Sequence, residues 1–134
     1  MTELQEIMQF LDSNRIQILS TSSDNKPISR PIGSAMLFDN KIWYCMNNDK
    51  PMFTQLIHNP HICICACASD FSWIRIYAKA TFCDNKEVKK IYIQRPKSSF
   101  KSIDDPRFSV FFLDMVEAQI HTHKHIKTLT IPRV

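Results

Sequence analysis

Two short stretches carry side chains suited to gripping an anion. Ser29-Arg30-Pro31-Ile32-Gly33 sets a guanidinium beside the only glycine of the chain, and Asn47-Asn48-Asp49-Lys50-Pro51 sets an ammonium group where a helix is expected to begin. Unpaired N–H groups at a helix start, together with a cation, suit a phosphate-like group. Arginine grips such a group through two parallel hydrogen bonds, while lysine supplies a mobile point charge. A glycine allows a flat ring to lie against the backbone. Each of these residues taken singly also reads as an ordinary surface group or cap, so the pattern points to an anion without naming it.

Other constellations are weaker. Cys63, Cys65 and Cys67 fall on one face of a strand. A soft-metal site is conceivable, but same-face positions on one strand splay apart, whereas zinc draws on ligands across a turn. The three read as small buried apolar groups. His121, His123 and His125 also alternate. Imidazoles two apart can chelate nickel or zinc, yet a solvated face is the plainer reading, and no metal is assigned. Phe108, Phe111, Phe112, Trp43 and Tyr44 read as core or dimer contact.

The elements that must position these residues follow from periodicity. Leu4, Ile7, Met8 and Leu11 at helical spacing predict a helix over residues 3–12, capped by Thr2. Strands are predicted over 15–22, over 27–38 with an irregularity at Arg30-Pro31, and over 41–46, joined by Asp-Asn turns. A helix follows over 52–58 and ends at Asn59-Pro60. Residues 61–68, HICICACA, are apolar on both alternating faces and predict a strand buried on both sides. A long strand over 71–83, a helix over 85–95, separate strands over 107–115 and 116–123, and a last one over 125–131 complete the chain. Strands joined by short turns imply an antiparallel sheet, and closure would remove its exposed edges.

With 134 residues, 44% hydrophobic and 22% charged, the chain fits one domain, residues 1–134. Its net charge of +4 is scattered along the sequence, which excludes a nucleic-acid stripe. The start, MTELQE, lacks the features of a signal peptide, and no apolar run approaches a membrane span. Five cysteines, an odd number, are expected to stay reduced in the cytoplasm.

The run NRIQILST…KPISRPIGSAMLFDNKIWYCMNNDKPMFTQLIHNPHICICA…WIRIYAKATF resembles the pyridoxamine-phosphate-oxidase-like FMN-binding split-barrel family, most closely its small nitroimidazole-resistance-related members. The motifs are R-P-x-G, N-N-x-K-P followed by Q-L and N-P, W-x-R-I-x-A-K-A, and FxVFFLD…EAxI. The resemblance implies a mainly β protein with flanking helices, a six-stranded antiparallel split β-barrel. It implies a homodimer with FMN at the interface and an FMN-dependent oxidoreductase acting on a small organic acceptor. By position, Arg30 and Lys50 would hold the FMN phosphate. Pro31, Ile32 and Gly33 would face the flavin through the backbone, Asn47 and Asn48 would bond the ribityl–phosphate region, and Trp73 would lie near the flavin at the dimer contact. Arg75 would add positive charge. Pyridoxamine phosphate itself is not the expected substrate, because the chain ends TLTIPRV without that enzyme's Arg- and Trp-rich segment. The alternative is a flavin- or haem-binding protein without turnover, or a deazaflavin binder.

Overall fold

The computed structural model describes residues 1–133. Helix α1 spans Glu3–Ser13 and begins with a capping box in which the Thr2 hydroxyl accepts from Gln5 N and the Gln5 side chain accepts from Thr2 N. It buries Leu4, Ile7, Met8 and Leu11, the apolar stripe that its spacing foretold. Strands β1 (Gln17–Ser23), β2 (Lys26–Ile32), β3 (Met36–Phe38) and β4 (Lys41–Asn47) follow, then α2 (Pro51–His58), β5 (His61–Cys67), β6 (Trp73–Phe82), α3 (Lys86–Ile93), β7 (Phe108–His121) and β8 (Ile126–Thr130).

The eight strands form one antiparallel sheet in the order β2-β1-β5-β6-β7-β4-β3, with β8 added beside β7. Hairpins β1–β2 and β3–β4 turn on Asp24-Asn25 and Asp39-Asn40, all four left-handed. Short polar side chains tolerate that conformation, so the chain makes these turns without glycine.

Three expectations about the number and extent of the strands need correction. The strand count is eight, not six. The stretch expected as one strand over 27–38 is two, and the break falls at 33–35 and not at Arg30-Pro31. β2 pairs only with β1, so Pro31 lacks no ladder bond that a central strand would need. Conversely, the stretch 107–123, expected as two strands, holds the single strand β7 over Phe108–His121. It absorbs the irregularity as a bulge opposite Tyr77–Lys79, with Met115 left-handed.

The barrel is split. No strand pairing joins β1–β2 to β3–β4 among the described residues. Side chains bridge the seam: the Arg15 guanidinium donates to Gly33 O (3.0 Å) and Ala35 O (3.2 Å), and the Tyr44 hydroxyl donates to Gln17 Oε1 (3.0 Å). One core cluster fills the barrel. A second, built on Trp43, Val88, Tyr92, Phe108 and Phe112, lies under α3. The aromatic residues of β4 and β7 are therefore packing, as their type suggested.

β5 is buried on one face only. Ile62, Ile64 and Ala66 point into the barrel, Cys63 is half-buried, and Cys65 and Cys67 are exposed. The doubly buried strand is instead β4, which has the barrel on one side and α3 on the other. Beside the cysteines the same outer face exposes Ile18 (42%) and Tyr77 (51%), with Met115 (50%) at the bulge.

Helix α3 starts at Asn85, whose Oδ1 accepts from Val88 N at 3.1 Å. Asn85→Ala is expected to lower unfolding stability by about 1 kcal/mol, read as a shifted urea midpoint at unchanged slope.

Candidate anion-binding cavity at the seam

The seam opens a cavity of about 660 Å³ between β2, the segment after it, the end of β4 and the first turns of α2. Its walls include Arg30, Pro31, Ile32, Gly33, Lys50 and Gln55. Alternation along β2 turns Ile28, Arg30 and Ile32 to the inner side, with Ser29 and Pro31 more exposed. Lys50 is the N-cap of α2, and no side chain caps that helix. Pro51 occupies its first turn, where its missing N–H costs nothing.

Arg30 is held by neutral acceptors. Its Nη1 donates to the Thr21 hydroxyl (2.8 Å), to Ile28 O (3.1 Å) and to Leu19 O (3.3 Å); its Nη2 donates to Gln55 Oε1 (2.5 Å). Partial burial draws the guanidinium below its ordinary pKa, and the lower local dielectric strengthens its attraction to any anion that meets it. No ion pair to Arg30 or Lys50 is formed among the described residues. No Asp or Glu lines the cavity. Two cations face one space with their charge uncompensated.

A second cavity of about 850 Å³ shares Gly33, Ser34, Cys45, Met46 and Lys50 with the first, and adds Arg15, Asn47, Arg95, Lys97 and the 98–100 loop. It too has no acidic lining. Arg15 is partly neutralised by Asp12 at 2.7 Å. The Tyr92 hydroxyl, which burial pushes well up, donates to Ser34 O at 2.7 Å and fixes the wall between the two spaces. Burial also pushes the Cys45 thiol up, so it stays protonated there.

The residues predicted from sequence thus divide. Arg30, Pro31, Ile32, Gly33 and Lys50 line the first cavity, and Asn47 lines the second. Asn47 Oδ1 accepts from Asp49 N at 2.8 Å. Asn48 lies elsewhere, its amide donating to Pro106 O (2.8 Å) and Ser109 Oγ (3.1 Å). Trp73 is on the outer sheet face, stacked on His121 (3.8 Å between ring centres) with Arg75 over its ring at 4.8 Å. His123 and His125 fall in the turn after β7, not on a strand, and His123 Nε2 meets Asp70 O at 2.9 Å. Gly33 is not left-handed; its reason is proximity, since a Cβ there would lie 3.2 Å from Arg15 O. Thr21 and Gln55, which hold Arg30, were not singled out from sequence. Only the register of β1 on β2 and the packing of α2 on β1 bring them to it.

Fold and cavity together define a split-barrel protein with an acid-free, cationic pocket at the split. The pyridoxamine 5'-phosphate oxidase family matches residues 4–122, and the chain belongs to that family. No curated protein matches it in sequence. Among solved structures it is similar to a NimC/NimA family protein from Clostridium acetobutylicum, with 26% identity over 96% of this chain and 92% of that one, at a TM-score of 0.89. A pyridoxamine 5'-phosphate oxidase-related, FMN binding protein from Nostoc punctiforme shares the fold at 13% identity, 95% coverage of both chains and a TM-score of 0.63. A heme binding protein from Mycobacterium smegmatis does so at 16% identity over 97% of this chain and 58% of that one, with a TM-score of 0.77. No helix among the described residues is long and apolar enough to cross a membrane.

Proposed function

We propose that this chain is an FMN-binding flavoprotein of the cytoplasm, an oxidoreductase toward a small organic acceptor that works as a homodimer. The observation that carries the reading is the pairing of Arg30 and Lys50 across one cavity without a carboxylate. The donor set fits a phosphate: a guanidinium offers paired N–H groups and an ammonium offers charge. The volume lies within the range of about 300–1,000 Å³ usual for small-molecule sites. Pro31, Ile32 and Gly33 present backbone along one wall. When bound, FMN supplies the electron-transfer chemistry, and the protein supplies position and field. Arg30 and Lys50 lower the energy of negative charge in the cavity. The second cavity gives an acceptor room beside the shared wall, under the same positive potential from Arg95 and Lys97.

Membership of the pyridoxamine 5'-phosphate oxidase family, together with a solved structure of the same fold described as FMN binding, supports the flavin reading. The exposed Ile18, Tyr77 and Met115 supply an apolar face for a second copy. Five free cysteines suit a reducing compartment.

Protein purified from cells is expected to be yellow, to show flavin bands, to release a molecule with the mass of FMN, and to sediment as a dimer. Anaerobic stopped flow with NAD(P)H and nitro-compound acceptors is expected to outpace free FMN. A Soret band would overturn the cofactor, and turnover no faster than free FMN would overturn the enzyme.

A further inference from the structure

Resting on the FMN reading, we propose that Gln55 is the residue that makes the cavity select a phosphorylated flavin over an unphosphorylated one. It does so by holding Arg30 with a neutral acceptor. Arginine only donates, so the contact of Arg30 Nη2 fixes which end of the Gln55 amide faces it: the oxygen. The Thr21 hydroxyl donates to the same oxygen at 2.6 Å while accepting from Arg30 Nη1. Three side chains from β1, β2 and α2 thereby close a ring of hydrogen bonds on the Nη1–Nη2 end of the guanidinium.

Two consequences follow from the chemistry of the ring. First, arginine has five N–H groups. The ring and the Leu19 and Ile28 carbonyls engage Nη1 and one hydrogen of Nη2. Nothing among the described residues is bonded to Nε. The Nε–Nη2 edge is a two-pronged fork left for an oxyanion. Second, the oxygen of Gln55 occupies a position where a carboxylate would form an ion pair with Arg30. An amide keeps the hydrogen bond and leaves the positive charge for the ligand. Gln55 is a positioning residue for Arg30 and sets the charge that the ligand meets.

The test is a comparison of Gln55→Glu and Gln55→Met with the unaltered protein, each titrated with FMN and with riboflavin by fluorescence quenching at neutral pH. Glutamate keeps the shape and the bond to Arg30 but cancels its charge. FMN affinity is expected to fall about 100-fold while riboflavin affinity changes by less than about threefold, and thermal stability is expected to hold or rise. Methionine removes the acceptor without adding charge and is expected to cost FMN about tenfold. A Gln55→Glu protein that still prefers FMN as strongly as the parent overturns the assignment. A parent that binds riboflavin as tightly as FMN, or binds neither, overturns the FMN reading itself. If Gln55→Glu unfolds, the methionine variant decides alone: an unchanged preference for FMN refutes the role.

Discussion

Replacing Arg30 and Lys50 together with alanine is expected to abolish tight FMN binding while leaving the barrel folded. The argument begins with their neighbours. Both cations line one cavity, neither has a carboxylate partner among the described residues, and the cavity wall holds none. Hydrogen bonds to a charged group are worth about 1.5–3 kcal/mol each, and the Arg30 fork offers two of them. Lys50 is exposed, so its charge is screened and contributes less. The sum is about 3–6 kcal/mol, a loss of about two to four decades in affinity. The single variants divide it unequally, with Arg30→Ala the larger. Raising salt is expected to weaken the Lys50 share first. Flavin fluorescence quenching measures each affinity, and thermal unfolding checks the fold, since Arg30 also bonds Thr21 and two carbonyls of the hairpin. Equal affinity in the double variant would remove the anion site and, with it, the cofactor.

That site was half legible in the sequence, and the division has a physical cause. Arg30, Gly33 and Lys50 announce themselves because charge beside a lone glycine or a helix start is locally informative. Their meeting depends on β2 turning back through Gly33 toward β4, a long-range event that the R-P-x-G motif marks but cannot place. Thr21 and Gln55 carry no local signal: a threonine in a β-rich run and a glutamine in an amphipathic helix are ordinary until register and packing bring them to one guanidinium. Asn48 shows the reverse case. The family resemblance implied a ligand contact for it, whereas the 106–109 segment, distant in sequence, offers its amide a carbonyl and a hydroxyl. The fold repeats the pattern. Helix α1 and the Asp-Asn hairpins are set by neighbours in sequence and were read correctly. The burial of β5 was misread because apolar composition does not say whether anything covers the outer face. β7 looked like two strands because its bulge at Met115 interrupts the alternation without breaking the pairing.

The interior of the seam carries the largest expected effect on stability. Gln17 is fully buried at the start of β1, and its amide is spent on the chain around it. Nε2 donates to Arg15 O (3.1 Å), Asn14 O (3.2 Å) and Leu11 O (3.4 Å), the carbonyls where α1 ends, and Oε1 accepts from the Tyr44 hydroxyl. One side chain thus ties the C-terminus of α1 and β4 to β1 across a gap that no strand pairing closes. Gln17→Ala strands the Tyr44 hydroxyl and the carbonyls and opens a void, for an expected loss of about 3–5 kcal/mol. Against a domain stability of about 5–15 kcal/mol, that brings the fold near its midpoint in water. Tyr44→Phe leaves only Gln17 Oε1 unpaired and is expected to cost about 1–3 kcal/mol.

The same bond predicts a pH dependence. Burial pushes the Tyr44 phenol well above its ordinary value, so the folded protein keeps a proton that the unfolded chain releases. The resulting stability is complete below about pH 10, the unfolded value, and declines as pH rises above it. Cys45, also pushed up by burial, begins a decline of the same sign at lower pH. The difference between parent and Tyr44→Phe isolates the phenol. Urea midpoints measured from about pH 8 to 12 are expected to converge for the two proteins above about pH 10. Parallel curves across that range would show that Tyr44 is not the buried donor to Gln17.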